Sequence, residues 1–367
     1  MDTKFKILLL AWALAGFSFC AHAQTYEKSQ TLSRSFPVSE DARVEVYNKY
    51  GNVHLVSWEK DSVRFEATIT VTANRQNKVD RTFDNIRLKF DQTGDIIYAA
   101  TAFESGKGQF WKDVSDFANI IFKGGAQAQI NYKIHLPGHL KLRVENKFGN
   151  VYASTYQGQF KLLLSNGDLK INKLSDQADI NISFGKGSIN QLKTANINIE
   201  YGDLEIETSD SLEIVSKSST LMLGKARSVN INSKRDKFFI DEVEKLSGET
   251  SFSYINVKKL GSEAYLRTNY GEMNLDKLNP AFNYINLISD YTDVSLSIPR
   301  DLSFDVEINY NNKVSLMLPE TFVNLRKKTL DPGGESFLIQ GTIGKENENN
   351  GLIKIAKNAG IINIFYY

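Results

Sequence analysis

Residues 180–206 read INISFGKGSINQLKTANINIEYGDLEI. Ile180, Ile182 and Phe184 share one parity, and Ile197, Ile199 and Tyr201 repeat it 17 residues on. After Tyr201-Gly202-Asp203, Leu204 and Ile206 point one way and Glu205 the other. Alternation with a period of two is the pattern of a half-buried strand. The intervening Gly, Asn and Asp supply turn conformations, and Gly202 is the residue expected to take a positive φ.

The same phrase recurs outward in both directions: an aromatic residue or Asn, then Gly, then a polar residue, then apolar–x–apolar. Clear copies are Tyr50-Gly51-Asn52-Val53, Phe148-Gly149-Asn150-Val151, Asn166-Gly167-Asp168-Leu169, Tyr201-Gly202-Asp203-Leu204 and Tyr270-Gly271-Glu272-Met273. Degenerate copies begin at Phe184, Ser218, Arg235, Tyr254, Tyr291 and Asn311. From Phe148 the steps are 18, 18, 17, 17, 17, 19, 16, 21 and 20 residues. No helical pattern separates the copies, so βαβ crossovers are excluded. A fixed period of this length is the signature of a repeat architecture. The expectation is an all-β chain: a single-chain parallel β-solenoid with one coil of about 18 residues per repeat. Ten coils at about 4.8 Å each give a rod roughly 45–50 Å long.

Four segments follow. Residues 1–23 read as a signal peptide, with Lys4 and Lys6, the apolar run Ile7–Phe19 and the small-x-small site Ala21-His22-Ala23. The competing reading is a lipid anchor on Cys20, disfavoured by Phe19 before it. Residues 24–147 read as first strands and an N-terminal cap. Within them lie a short helical candidate at Lys78–Asn85 and an inserted amphipathic helix at Phe110–Phe122. Residues 148–319 are the solenoid repeats, and 320–367 the last coils and a C-terminal cap, since an open β-edge invites aggregation.

The whole chain has 367 residues, 44 Lys+Arg, 43 Asp+Glu, 4 His and one Cys. Removing residues 1–23 takes away Lys4, Lys6, Asp2 and Cys20. That leaves balanced charge and no cysteine, so disulfides and thiolate metal sites are excluded. A chain without net charge gives no electrostatic case for nucleic acid. No other apolar run is long enough to span a bilayer.

The signal peptide, the repeated Tyr-Gly-Asn/Asp-apolar phrase and the Gly-rich end resemble the bacterial envelope β-solenoids of Bacteroidetes labelled "putative adhesin". The resemblance covers nearly the whole mature chain. It implies a right-handed parallel β-helix without established activity, and it supplies no catalytic motif.

Candidate sites are few. Tyr254, Tyr270 and Tyr291 occupy one position in successive repeats. Exposed, such an aromatic ladder can hold sugar rings; the parity of Phe184 and Tyr201 with buried isoleucines argues instead for a corner stack that adds buried area. Asp168 and Asp203 share a repeat position, but Lys186 lies between them, and Lys313 follows Glu272 and Asp293. A calcium-dependent polysaccharide lyase needs several oxygens converging on one ion, and these carboxylates do not supply them. His135 and His139 flank Pro137-Gly138, so no helical zinc pair forms there. No nucleophile elbow, phosphate loop or dinucleotide fingerprint is present. In Phe110–Phe122, an apolar stripe of Phe110, Val114, Phe117 and Ile121 with Trp111 alongside is either a cap surface or a partner surface.

The sequence therefore points to an exported, cofactor-free scaffold or interaction protein of the cell envelope. Its expected place is the periplasm, the outer-membrane surface or the outside of the cell, and its partner an envelope protein or a glycan. The alternative is a carbohydrate-active β-helix enzyme, a lyase or hydrolase.

Overall fold

The computed structural model describes residues 25–103, 125–344 and 351–367. The segment 1–23 and the stripe of Phe110, Trp111, Val114, Phe117 and Ile121 lie outside the described residues.

Alternating sequence becomes strand almost everywhere. Among the described residues there are twenty-two strands in one sheet and a single helix. Strands β1 (Tyr26–Pro37), β2 (Arg43–Lys49), β3 (Val53–Trp58) and β4 (Ser62–Ala73) precede helix α1 (Gln76–Asp84). Then come β5 (Ile86–Thr93), β6 (Ile96–Phe103) and β7 (Ala126–Pro137). The repeats supply β8 (Lys141–Lys147), β9 (Val151–Tyr156), β10 (Phe160–Ser165), β11 (Leu169–Ser183), β12 (Lys186–Glu200), β13 (Asp203–Lys217), β14 (Thr220–Lys234), β15 (Lys237–Leu275), β16 (Tyr284–Ile298), β17 (Phe304–Asn311) and β18 (Val314–Met317). The chain closes with β19 (Val323–Thr329), β20 (Ser336–Ile343), β21 (Leu352–Lys357) and β22 (Gly360–Tyr366). No described helix is long and apolar enough to cross a membrane.

The chain divides into two compact units. The smaller includes Ile69–Arg87 and thus α1. Val79, Thr82 and Phe83 are its buried residues. Lys28 lies 4.6 Å over the Phe83 ring and 3.4 and 3.5 Å from the Asp80 and Asp84 carboxylates.

In the larger unit the repeats from β8 and β9 to β16 pair in parallel, each with the next. Lys186 is registered with Asp203, Asp203 with Thr220, and Thr220 with Lys237. This register places identical residues side by side: Ile180, Ile197, Ile214 and Ile231 form one row, all buried. Each such isoleucine contributes about 1.5–3 kcal/mol of burial, and a one-residue slip would turn the whole row outward.

The first copy, 98 residues upstream in sequence, is an immediate neighbour in space. Arg43 is registered with Lys141 and Val53 with Val151. On the side of β2 and β3 opposite β8 and β9, β6 pairs with β2 and β7 with β3.

At the other end, chain order and spatial order part company. β21 pairs in parallel with β16 on one edge and β17 on the other; β22 likewise lies between β16 and β18. The last residues are thus an interior row, not the final one. Beyond them β17, β20 and β19 pair antiparallel.

Candidate ligand-binding column

From Tyr50 to Tyr291 the repeats bend at their first position; the copy expected at Asn311 does not, because Asn311 is still extended as the last residue of β17. Tyr50, Phe148, Asn166, Phe184, Tyr201, Ser218, Arg235, Phe252, Tyr270 and Tyr291 all have φ between 49° and 63°, the left-handed region that L residues avoid at a cost of about 1–2 kcal/mol. Gly202 is not among the positive-φ glycines. The expected conformation sits one residue earlier, on Tyr201. Gly202 meets a different need. A Cβ there would collide with the Gly185 carbonyl oxygen, as a Cβ on Gly185 would with Gly167 and one on Gly167 with Gly149. The glycines form a column in which neighbouring repeats touch backbone to backbone.

Further along, the column changes composition. Ser219, Asp236 and Ser253 stand where glycine stood, and their side chains are buried. The Asp236 carboxylate accepts from Ser216 Oγ at 2.8 Å and from the Ser219 and Lys234 amides at 2.7 and 2.9 Å. Ser253 Oγ accepts from the Asp236 amide at 3.1 Å.

The third position explains the recurrent Asn and Asp. Asn52 Oδ1 accepts from the Asn150 amide, Asn150 Oδ1 from the Asp168 amide and Asp168 Oδ1 from the Lys186 amide, at 2.8–2.9 Å. Each side chain caps the turn of the next repeat. Lys186 Nζ lies 3.3 Å from Asp203, so the interposed cation engages the carboxylate column. Among the described residues no group of three or more His, Cys, Asp or Glu side chains gathers to hold a metal ion.

Two histidines, His54 and His135, pack on aromatic rings. His54 stacks on Tyr152 at 4.6 Å and His135 tilts against Trp58 at 5.2 Å. Burial, aided by Lys133, holds both imidazoles below their ordinary pKa.

The first-position side chains form the feature most open to a ligand. Phe184 and Tyr201 stack at 5.1 Å with planes 6° apart. Phe252, Tyr270 and Tyr291 form a run of three, at 5.0 and 4.9 Å. Tyr50 stacks on Phe148 at 5.3 Å, with Lys49 over both rings. Except for buried Tyr50, these rings are 42–57 % exposed. The parity argument for a buried corner stack therefore fails: the left-handed residue breaks the alternation and swings its side chain out of the core.

The membership of the column also differs. Tyr254 lies two residues beyond the bend and packs against Phe239 at 5.7 Å; Phe252 takes its expected place beside Tyr270 and Tyr291. Both residues are aromatic and share a parity, so alternation cannot choose between them. The step length could have: starting the copy at 252 makes the steps 17 and 18 instead of 19 and 16.

No family model and no curated protein matches this chain. Solved structures do. A "putative cell adhesion protein" of Clostridium sporogenes is 9 % identical, with 93 % of this chain and 100 % of that one covered and a TM-score of 0.19. A "putative adhesin" of Parabacteroides merdae is 10 % identical over 73 % of this chain and 92 % of that one, with a TM-score of 0.33. A "putative lipid binding protein" of Parabacteroides distasonis is 13 % identical over 73 % and 93 %, with a TM-score of 0.32. Solved structures bearing the adhesin label are thus among those to which this chain is similar, as the resemblance read from the sequence anticipates.

Proposed function

We propose that the protein is an exported, non-catalytic interaction module of the cell envelope. In this reading its repeats coil as a right-handed parallel β-solenoid, residues 24–147 complete the N-terminal end, and the outward aromatic column holds a glycan chain. The observation that carries the reading is the exposure of Phe252, Tyr270 and Tyr291 as one parallel stack. A core would hide such rings; here they are 42–54 % exposed, a surface of the kind that takes the apolar part of a sugar. Tyr270 and Tyr291 add hydroxyls at the rim. The regular stack offers successive equivalent contacts to a polymer, which raises avidity without demanding any single strong contact.

The test is a glycan array probed with the wild type and a Phe252→Ala/Tyr270→Ala/Tyr291→Ala variant. The variant should lose at least tenfold in affinity for whichever glycan the wild type holds, while its melting temperature changes little, because exposed rings carry little of the core. Unchanged binding would move the site elsewhere, and binding of envelope proteins alone would make the partner a protein. Calcium-dependent cleavage of a polyuronate by the purified protein would overturn the non-catalytic reading in favour of a lyase.

A further inference from the structure

The C-terminal segment occupies a slot that chain order assigns to another row. The repeat period leads from Tyr291 to the copy at Asn311, so β17 and β18 should follow β16 directly. Instead β21 and β22 stand between them. Ile353 is registered with Ile285 on one side and Val306 on the other; Ile355 with Leu287 and Ile308. All six are buried. Without β21, Val306 and Ile308 could therefore close onto Ile285 and Leu287 with every side chain keeping its face. The connection from Ile298 to Phe304 permits either arrangement. Its five residues reach about 17 Å, while one or two strand spacings need only about 5 or 10 Å.

The slot is specific for this chain's own terminus. The Lys357 ammonium, buried within it, donates to Ser289 Oγ at 3.0 Å and to the Thr292 carbonyl. Asp293 Oδ1 accepts from the Ile361 amide at 2.9 Å, the same third-position bond that joins the earlier repeats. A foreign strand would have to reproduce both. Every copy of the protein carries the matching segment.

We propose that the slot between β16 and β17–β18 exchanges its strand between molecules, so that residues 351–367 of one copy complete the array of a second. The partner is another copy of this chain, joined by parallel strand addition. Mutual exchange gives a closed dimer and sequential exchange an open chain. This inference rests on strand order and register and is independent of the aromatic column.

The test uses full-length protein in a Cys20→Ser background. Ile288 and Ala356 are register partners on the outward face, within disulfide reach at the spacing of adjacent strands. Placed together in one chain, Ile288→Cys and Ala356→Cys should close an internal disulfide on oxidation. Mixed as two separate single variants and held a few degrees below the melting temperature, they should form a disulfide-linked dimer. The yield should exceed at least tenfold that from Met222→Cys mixed with Ala356→Cys, a pair with an equally exposed but distant position. Monomers only, or equal yields from both mixtures, would overturn exchange. Failure of the double variant to close would overturn the row order on which the proposal stands.

Discussion

Gly167→Ala should destabilise the protein by about 3 kcal/mol or more, read as a drop in the denaturant midpoint, whereas Asn166→Gly beside it should change little. A Cβ at 167 would strike the Gly149 carbonyl, backbone that belongs to the neighbouring repeat and is fixed by its own parallel pairing. Overpacking of this kind costs about 1–3 kcal/mol where side chains can adjust, and more where only backbone can move. The next repeat compounds the effect, because the Gly185 position meets the Gly167 carbonyl in the same way. At Asn166 the φ of 54° is already left-handed, so glycine relieves about 1 kcal/mol of strain and returns a similar amount in chain entropy. If the two variants shift the midpoint equally, the repeats are not in backbone contact and the glycine is conformational after all.

That contrast shows where the sequence was legible. Period-two alternation and the 17–18-residue step fix which side chains face the core, because burial of rows such as Ile180, Ile197, Ile214 and Ile231 enforces both. The sequence also marks each turn. It does not reveal which residue of Tyr201-Gly202 bends, since glycine serves a positive φ and a close approach equally well. Only the inter-repeat distance separates the two. The error at the aromatic column has the same root: parity carries a side chain inward only while the backbone stays extended, and the bend at Tyr201 ends that condition.

The row order at the C-terminus was illegible for another reason. Periodicity ranks repeats along the chain and is silent on which rows touch. Ala359-Gly360-Ile361 is a degenerate copy of the turn, with Ile361 at the position that Asp293 caps, but it follows the antiparallel pair β19–β20 in sequence. The same silence made the 98 residues before Phe148 look like a gap, although Tyr50 lies against Phe148.

Lys357→Met should raise stability at neutral pH, and the advantage should vanish as pH rises from about 8 to 10.5. Lys357 is the one charged side chain among the inward residues of β21 and β22; Ile353, Ile355, Ile362 and Ile364 complete that face. Burial pushes its ammonium down to about 8 from the ordinary 10.5, with Asp293 and Asp290 opposing the shift. Between these values the unfolded chain holds a proton that the folded one has released, so stability rises with pH in this window and nowhere else on account of this group. Below about 8 both states are protonated and the cost of burying the charge is constant. Each unit is worth about 1.4 kcal/mol, so wild type should gain about 3 kcal/mol on Lys357→Met across the window. Comparing the two proteins at each pH cancels the titration of every other lysine and tyrosine. Ser289 and the Thr292 carbonyl lose a donor in the variant, which trims its advantage at neutral pH without altering the slope. Parallel stability curves from pH 7 to 11 would mean that Lys357 is solvated, and that the terminal strand is not held as an interior row.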